Sequence, residues 1–416
     1  MKEPKIRFKG FQGEWENTPF SENFDSLKNN SLSRAELSDS GEVMNIHYGD
    51  VLIKYGECVD VIKEVETFVK DEEVAKKLHQ SCAIKNGDVI FADAAEDNTV
   101  GKCSEVIANE NDAIVSGLHT IACRPKKDFA PMYLGYYLNS NAYHDQLLPH
   151  IQGTKISSIS KKAISQTHIN SPLEKDEQQS IASYFHHLDS LIQSTTKKIE
   201  SLKQVKAASL QSMFPQKGET TPRVRFKGFE GEWEKVSLGE ETYPAGIKNY
   251  ENLPLDSYSI SNEFGFIPQN LQFENGGTMA TADKRMYYIV SKNSFGYNPA
   301  RINVGSLGYY SGNENVIVSS LYEIFKTSDR ICDTFLLYWF KTSMFQKLIE
   351  QYQEGGVRFY FFYDKLCMCQ IFVPSYEEQC AIASYFTTLD RQITLHTQRL
   401  EKLKQIKSAC LDNMFV

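Results

Sequence analysis

The side chains in this chain that could take part in chemistry are mostly isolated cations, and two of them occupy similar surroundings. Lys155 and Arg358 each stand two positions after a glycine, in Gly153-Thr-Lys155 and Gly356-Val-Arg358, and an alignment of the chain with itself at offset 203 pairs them. An ammonium group can hold a phosphate, and a guanidinium can bind two acceptor atoms at once. These residues indicate ligand binding and suggest no reaction by themselves.

Motifs for catalysis and for cofactors are missing from the sequence. It has no GxxxxGK[ST] loop for a nucleoside triphosphate and no glycine-rich signature for a nucleotide cofactor. Asn298-Pro-Ala lacks the aromatic residue that would stack on a flipped adenine, so we interpret it as a turn. The carboxylates of FADAAEDN fit a solvated loop better than a metal site; they are Asp93, Glu96 and Asp97. The nine cysteines have no zinc-site spacing, which favours free thiols.

The elements that must position the cations occur in two copies. The segment PKIRFKGFQGEWE (4–16) returns as PRVRFKGFEGEWE (222–234), and the segment 177–214 returns as 378–415. The first pair is offset by 218 positions and the second by 201, so the region between them is 17 residues shorter in the second copy. Shorter matches at offset 203 inside the divergent middles predict that these also share a fold.

The repeated C-terminal segment of each copy has the pattern of a long helix. Apolar residues recur at steps of three and four over about five heptads, without glycine or proline between them. Acidic residues follow Pro172 and Pro374, as expected at helix starts. Some 38 residues would make a rod of roughly 57 Å. Thr195 and His396 are polar seam positions at the helix midpoints, and they would meet if the helices packed antiparallel.

Composition and charge limit the possible partners. The chain is 41% hydrophobic and 24% charged, as in ordinary globular proteins, and it shows neither a membrane-spanning run nor an apolar signal-peptide region at its start. Residues 18–173 carry 15 Lys and Arg against 22 Asp and Glu, and residues 236–373 carry 11 against 14. Contact with a polyanion would therefore need a local cationic patch, with partner proteins supplying much of the neutralisation.

These features together resemble one known family. The resemblance rests on RFKGFxGEW at the start of each copy, on a Glu-Gln-x-x-Ile-Ala entry into each long helix (177–182 and 378–383) and on the length of that helix. Over essentially its whole length the chain resembles the specificity subunits of type I restriction-modification systems, the HsdS family.

The resemblance implies a fold and a domain order. The expected fold is α+β, with two tandem α/β target recognition domains separated by two long antiparallel coiled-coil spacer helices in a pseudo-twofold arrangement. The implied segments are target recognition domain 1 at 1–173, spacer helix 1 at 174–214, a linker at 215–221, target recognition domain 2 at 222–374 and spacer helix 2 at 375–416.

The resemblance also implies partners. Each recognition domain would read one half of a bipartite, asymmetric site in double-stranded DNA, and the chain itself would hold no catalytic residue, cofactor or metal. Two modification subunits, which use S-adenosylmethionine to methylate adenine N6, would dock on the helices. Restriction motor-nuclease subunits, which use ATP and Mg, would join them. The assembly would act in the cytoplasm in phage defence, away from any membrane.

Within that role the cations become candidate DNA contacts. Lys155 and Arg358 are the main candidates, because arginine can bind guanine with two hydrogen bonds and either side chain can hold a phosphate. The other predicted DNA-binding residues are Lys54, Tyr55, Ser157, Arg301 and Tyr360.

Two other functions stay open at this point. The helices could belong to an interaction scaffold that recruits proteins without any role for DNA. The chain could also be a self-contained DNA methyltransferase or nuclease, against which the missing cofactor and catalytic motifs argue.

Overall fold

The chain divides into two compact units, each built from residues that are distant in sequence. The computed structural model describes residues 3–153, 155–272, 283–356 and 358–416. Unit 1 comprises Met1–Thr196 with Gln398–Val416, and unit 2 comprises Lys197–Thr397. We call residues 18–173 insert 1 and residues 236–373 insert 2. Each unit holds one insert, the conserved segment that precedes it, and a part of each long helix.

Insert 1 and its flanks are a mixture of short strands and helices. The strands are β1 (Glu16–Pro19), β2 (Phe24–Ser26), β3 (Leu37–Ser38), β4 (Met44–Ile46), β5 (Cys58–Asp60), β6 (Phe68–Val69), β7 (Val89–Ala92), β8 (Ala94–Ala95), β9 (Cys103–Ile107), β10 (Ile114–Ser116), β11 (Thr120–Pro125), β12 (Ser157–Ser158) and β13 (His168–Ser171). The helices are α1 (Phe20–Asn23), α2 (Tyr48–Ile53), α3 (Val61–Glu64), α4 (Glu72–Cys82), α5 (Tyr133–Leu138), α6 (Asn141–His144), α7 (Lys161–Ser165) and α8 (Lys175–Ser212).

The main sheet of unit 1 has the strand order β2–β11–β7–β9–β5, and β7 is apolar at every position because both of its faces are covered. Val89 and Phe91 pack in the cluster that also contains residues of the long helices. Ile90 and Ala92 point to the other face and pack with residues of β4 and α2. A second sheet has the order β10–β4–β6–β3. A continuous apolar run is the pattern expected for a strand buried on both sides.

Unit 2 follows the same plan with different loops. Its strands are β14 (Glu234–Ser237), β15 (Thr242–Pro244), β16 (Ile247–Lys248), β17 (Tyr258–Ser261), β18 (Gly265–Pro268), β19 (Tyr288–Val290), β20 (Ser294–Tyr297), β21 (Leu307–Tyr310), β22 (Val316–Val318), β23 (Glu323–Thr327) and β24 (Gln370–Val373). Its helices are α9 (Leu238–Glu241), α10 (Gln269–Gln272), α11 (Asp333–Trp339), α12 (Ser343–Tyr352), α13 (Tyr363–Met368) and α14 (Tyr376–Asn413). The order β15–β23–β20–β21 corresponds to β2–β11–β7–β9 of unit 1.

The predicted long helices are confirmed. Helices α8 and α14 each run for 38 residues, and α8 ends shortly before Pro215. In unit 1 the predicted seam residues Ile181, Phe185 and Leu188 are buried, and Thr195 is only 5% exposed. His396 belongs to unit 2 and is half-buried. That these two polar residues meet stays a prediction.

Within each unit the two helix segments run antiparallel, and their charges favour that direction. In unit 1 Asp189 pairs with Lys407, while Tyr184, one turn earlier in α8, lies against Cys410, one turn later in α14. Residues 175–196 carry one Lys and three acidic groups, whereas residues 398–413 carry four Lys and Arg and two acidic groups. The helix segments of unit 2 are charged in the same way, so an acidic segment lies beside a basic one in each unit.

The conserved segments, which we call frame 1 (4–16) and frame 2 (222–234), tie each insert to a long helix through one arginine. In unit 1 Arg7 donates to both carboxylate oxygens of Glu177, Nε to Oε1 at 2.7 Å and Nη2 to Oε2 at 2.8 Å. In unit 2 Arg225 makes the same pair with Glu378 at 2.6 and 2.7 Å. Both glutamates are 1% exposed. A bidentate pair of this kind fixes the angle of the segment as well as its position.

The sequence modules and the compact units do not coincide. The predicted segments keep each long helix whole. The compact units instead divide both long helices near their midpoints. The domain boundaries therefore remain a prediction about sequence modules. Within the described residues, no helix has both the length and the apolar character needed to cross a membrane.

We predict that Glu378→Ala destabilises unit 2 by about 3 kcal/mol, because it leaves the Arg225 guanidinium beside a site from which its partner is missing. Hydrogen exchange along frame 2, with thermal unfolding, measures the loss. Glu377→Ala is the matched control, since Glu377 lies in the same helical turn and is exposed. Equal protection of frame 2 in both variants would contradict the prediction.

A buried carboxylate makes the stability of unit 1 depend on pH. Glu105 in β9 is 3% exposed and accepts hydrogen bonds from the backbone N–H groups of Met132 at 2.6 Å and Gly135 at 2.8 Å. Burial nevertheless raises the pKa of Glu105 from 4.5 to about 7. The strand pairing places Tyr309 at the equivalent position of unit 2, where its hydroxyl donates to Asp333.

We therefore predict that unit 1 loses about 3 kcal/mol of stability as the pH rises from about 4.5 to about 7. In that window the folded unit keeps a proton that the unfolded chain has released, so stabilisation is complete below pH 4.5 and is lost through pH 7. Hydrogen exchange of β7 and β9 at pH 5 and pH 8, corrected for intrinsic rates, measures the change. In Glu105→Gln the change should shrink markedly, and an unaltered pH dependence in that variant would refute the assignment.

Candidate functional site

The segment that contains Lys155 forms a tight hairpin, which we call hairpin 1 (152–158). The backbone N–H of Gln152 donates to the carbonyl of Ser158 at 3.0 Å, and the N–H of Ser158 donates back at 2.7 Å. Gly153 has φ +107°, and a Cβ on it would lie 2.0 Å from the carbonyl oxygen of Ile156. Only glycine fits this turn.

Hairpin 2 (354–360) repeats this geometry in unit 2. Glu354 and Tyr360 exchange the same two backbone hydrogen bonds, at 2.8 and 2.7 Å. Gly355 has φ +135°, and its Cβ would lie 1.9 Å from the carbonyl oxygen of Arg358. Both hairpins continue into a buried residue and then into a short helix, α7 in unit 1 and α13 in unit 2.

The hairpins correct the sequence alignment by one position. Their matching hydrogen bonds and glycines correspond at an offset of 202, so the pairing at offset 203 is wrong. Gly355, and not Gly356, takes the turn position of Gly153. The counterpart of Arg358 is therefore Ile156, and the counterpart of Lys155 is Val357, which, like Thr154, lies outside the described residues.

The same offset of 202 holds through the middle of the inserts. Strand β10 corresponds to β22, and Tyr136 of α5 corresponds to Tyr338 of α11, since each tyrosine donates to the equivalent aspartate of a long helix. The expectation that the inserts share a fold is met, but with this shifted register. The sequence alone offered no hydrogen-bond pattern to distinguish the two offsets.

Hairpin 2 lies beside the loop that contains Arg301. The N–H of Phe361 donates to the carbonyl of Pro299 at 3.0 Å, and Asn298 caps the turn by accepting from the N–H of Ala300 at 3.0 Å. The interpretation of Asn298-Pro-Ala as a turn is thereby confirmed. The turn is thereby joined to the residue that follows hairpin 2.

The turn and hairpin 2 each contain one exposed arginine. Arg301 and Arg358 are exposed, and in the part of the chain that the structure describes neither forms an ion pair. Among the other arginines of insert 2, Arg285 pairs with Asp283, and Arg330 pairs with two glutamates. Unpaired guanidinium groups retain their full capacity to bind acceptors or anions.

Hairpin 1 has a more polar surrounding. Lys155 is exposed and, among the described residues, has no ion-pair partner, whereas Ser157 is half-buried in β12. The N–H of Ile159 donates to the carbonyl of Asp93 at 2.9 Å, and the Asp93 carboxylate lies 3.1 Å from Nδ1 of His119. Hairpin 1 is therefore next to a histidine that the sequence did not indicate.

His119 has an unusual backbone for a residue with a side chain. Its φ is +54°, in the left-handed region, and its ring meets Tyr48 edge to face at 5.2 Å between centroids. Its side chain is 52% exposed. Strain of this kind is found at functional positions and in tight turns. The sequence offered one signal for this residue: His119 directly follows Ser-Gly-Leu between two strands.

The other two candidates of insert 1 are less available. The Lys54 ammonium group lies 2.6 Å from a carboxylate oxygen of Glu66, so its charge is already partly compensated. Tyr55 is 2% exposed and packs in the core between β4 and β9, and burial raises the pKa of its hydroxyl. A side chain in that position cannot reach a macromolecular ligand, so the candidate surface no longer includes Tyr55.

A cluster of tyrosine, aspartate and lysine holds each insert against the long helices. In unit 1 Asp189 accepts from the Tyr136 hydroxyl at 2.8 Å and from Lys407 at 2.7 Å, and Lys407 also pairs with Glu57 at 2.7 Å. Burial, and then the nearby Glu57 carboxylate, raise the pKa of Asp189.

Unit 2 repeats the cluster with the opposite charge balance. Asp390 accepts from the Tyr338 hydroxyl at 2.8 Å and from Lys206 at 2.5 Å, and a second lysine, Lys341, lies 5.1 Å from the ring of Tyr338. The repeated Asp and Lys of the long helices were visible in the sequence, but their partners in the inserts were not.

Two exposed apolar residues recur on the long helices. Val205 of α8 is 43% exposed and Ile406 of α14 is 36% exposed, and they correspond at the helix offset of 201. Single exposed apolar side chains are common on protein surfaces, so it is the recurrence of this pair at one helix position that makes the two places candidate contacts for another protein.

Of the three carboxylates that were considered as metal ligands from the sequence, Asp93 and Asp97 have other partners and Glu96 is exposed. Asp93 lies against His119, and Asp97 accepts from the N–H and the hydroxyl of Thr99, as in a solvated turn. Across the described ranges, His, Cys, Asp and Glu side chains form no group of three or more suited to a metal ion.

Comparisons with known proteins agree with this architecture. The family model described as "Type I restriction modification DNA specificity domain" matches residues 12–204 and 265–405. The chain is 25% identical over 376 residues to a putative type I restriction enzyme MjaX specificity subunit of Methanocaldococcus jannaschii, covering 83% of this chain and 80% of the relative.

Solved structures share the fold at low sequence identity. The S subunit of a type I restriction-modification system from M. genitalium matches with a TM-score of 0.59 and 12% identity, covering 100% of this chain and 99% of the other. A chain from a structure on the complex assembly and conformational transition of the type I R-M system matches with a TM-score of 0.52 and 15% identity. The match covers 96% of this chain and 97% of the other.

Proposed function

Since the chain belongs to the type I restriction-modification DNA specificity subunits, we propose that its two units read the two unlike halves of a bipartite, asymmetric DNA site. As a specificity subunit it selects the DNA sequence and is not itself the catalyst of the complex. The two other functions, a scaffold without DNA and a self-contained enzyme, have no comparable support.

One observation carries the asymmetric target. Hairpins 1 and 2 share their backbone hydrogen bonds, their positive-φ glycine and the buried residue that follows, yet their exposed side chains differ at nearly every position. Equivalent surfaces with different donors and apolar groups would favour different base pairs. Two such surfaces in one chain favour a target whose halves differ.

The DNA contacts that we propose centre on the two hairpins. Arg358 and Arg301 are suited to guanine edges or phosphates in one half-site, and Tyr360 contributes a ring and a hydroxyl beside them. Lys155 and Ser157 would serve the other half-site, with Lys54 as a weaker phosphate contact because of Glu66. With a net charge of −8, this chain would depend on its partners for much of the phosphate neutralisation.

We also propose where the partner subunits bind. Two methyltransferase subunits, which bind S-adenosylmethionine and methylate adenine N6, would dock on the equivalent surfaces around Val205 and Ile406. Motor-nuclease subunits that use ATP and Mg would join through them. The assembly would work in the cytoplasm, where DNA is the substrate and the free thiols of this chain would stay reduced.

The experiment that tests the proposal is methylation of a randomised DNA library. The chain is co-expressed with its methyltransferase subunits, and N6-methyladenine is mapped by sequencing. A two-part motif with unlike halves and a fixed gap is expected. Uniform methylation, a palindromic motif, or methyl transfer by the purified chain alone would contradict the proposal.

We predict that Arg358→Ala changes the sequence preference in one half of the motif only. The loss should be about 1–3 kcal/mol at the position it contacts, because a bidentate contact to a base edge is removed. Arg285→Ala is the control, since Arg285 is in the same insert but pairs with Asp283. If Arg358→Ala methylates every sequence as the wild type does, the residue is not a DNA contact.

We predict that Val205→Glu and Ile406→Glu each remove one of the two methyltransferase subunits. A charge in the centre of an apolar contact costs desolvation without a partner, so the mass of the purified complex should fall by one subunit in each variant. Gln204→Glu adds the same charge beside Val205 at an exposed position and is the control. A complex with both subunits in every variant would place the docking surface elsewhere.

A further inference from the structure

Hairpin 2 and the residues after it expose an unusual amount of aromatic surface. Phe359 is 51% exposed and Phe362 is 45% exposed. The rings of Tyr360 and Phe362 lie parallel, 1° apart in orientation, with centroids separated by 5.5 Å. We call Phe359, Tyr360 and Phe362 the aromatic face. Phe359 and Phe362 are exposed and Tyr360 is half-buried, whereas Phe361 between them is in the core.

Unit 1 shows that the fold does not need this face. At offset 202 the counterparts of the aromatic face are serines, namely Ser157, Ser158 and Ser160. The residue between them is apolar and buried in both units, as Ile159 at 5% and Phe361 at 0% exposure. The shared architecture therefore requires the buried residue only.

Phe362 occupies the N-cap position of α13 without supplying the side-chain capping hydrogen bond that would stabilise the helix. Ser160 is the N-cap of α7, and its hydroxyl accepts from the N–H of Ala163 at 3.1 Å. Serine is among the best N-cap residues, whereas large apolar residues are among the poorest. A phenylalanine at this position therefore needs a reason other than stability.

The surroundings of the face point to the kind of ligand. Arg358 directly precedes Phe359, and the Phe361–Pro299 hydrogen bond places the Arg301 turn beside it. A surface that combines unpaired guanidinium groups with exposed rings suits a ligand that presents anions and acceptors next to apolar groups. In the major groove of DNA the apolar group is the C5-methyl of thymine, which phenylalanine can contact.

We propose that the aromatic face contacts thymine methyl groups in the half-site read by unit 2. The inference rests on the proposed function and adds the chemical group that unit 2 distinguishes. Unit 1, with serines in the same places, reads its half-site through hydrogen bonds. The two halves of the target are then selected by different kinds of contact.

The test uses the assembled complex with its methyltransferase subunits and a randomised duplex library copied with either dTTP or dUTP, since uracil lacks only the methyl group. At the half-site that responds to Arg358→Ala, wild type should methylate the thymine library about fourfold better, as expected for one buried carbon group. In Phe359→Ser and Phe362→Ser this preference should fall towards one. The other half-site should not change.

Two further measurements separate recognition from folding. Phe362→Ser supplies the cap that unit 1 has, so it should raise the melting temperature while it lowers thymine preference. Phe264→Ser, at a position that is 68% exposed but outside the face, should leave the preference unchanged.

The outcomes that overturn the inference are distinct from failure of the proposed function. A complex with a two-part motif and equal methylation of both libraries by wild type would overturn the inference alone. Loss of methyltransferase subunits from Phe359→Ser or Phe362→Ser would instead make the face a protein contact and overturn it. Methylation without any sequence preference would overturn the proposed function and the inference together.

Discussion

The ion pair between the repeated arginine and the first-turn glutamate of each long helix is the contact on which the arrangement of each unit depends. Arg7 uses its remaining N–H groups to hold its own segment, with Nη1 donating to the carbonyl of Gly13 at 2.6 Å, and Arg225 does the same with Gly231 at 2.6 Å. One side chain thus closes the turn of the frame and fixes it to the helix. Because the glutamate is buried, removing either partner leaves a charge without its counter-ion and destabilises the unit.

Each frame also packs against the C-terminal end of the long helix from the other sequence copy. In unit 1 the N–H of Ile6 donates to the carbonyl of Asn413, and Trp15 meets Phe415 edge to face at 6.4 Å. In unit 2 Trp233 meets Phe214 in the same way at 6.5 Å. Each core is therefore completed by the helix that belongs to the other sequence copy. This explains why the compact units divide the helices, although the repeat in the sequence ends at their termini.

The sequence predicted the parts of the fold that follow from periodicity and repetition. Spacing of apolar residues was sufficient for α8 and α14, since a seam of buried side chains needs nothing beyond a regular pattern. It could not place Tyr55 in the core, because neither the short helix α2 nor the residues just after it have such a pattern. The burial of Tyr55 depends on strands that are distant in sequence. It paired Lys155 with Arg358, since single glycines can be matched at several offsets until hydrogen bonds fix the turn.

The candidate surfaces show why recognition can diverge while the fold stays constant. In each hairpin the backbone hydrogen bonds, one glycine and one buried residue carry the structure, so the outward side chains are free to change. The arginines of insert 1 and frame 1 are already engaged: Arg7 with Glu177, Arg34 with Asp50 and Arg124 with Asp88. For the proposed DNA contacts unit 1 would then rely on lysine, serine and histidine. In unit 2 Arg301 and Arg358 form no ion pair with any described residue, and Phe359 and Phe362 are exposed. Net charge averages over this difference, which is why the charge of each insert could not identify its surface.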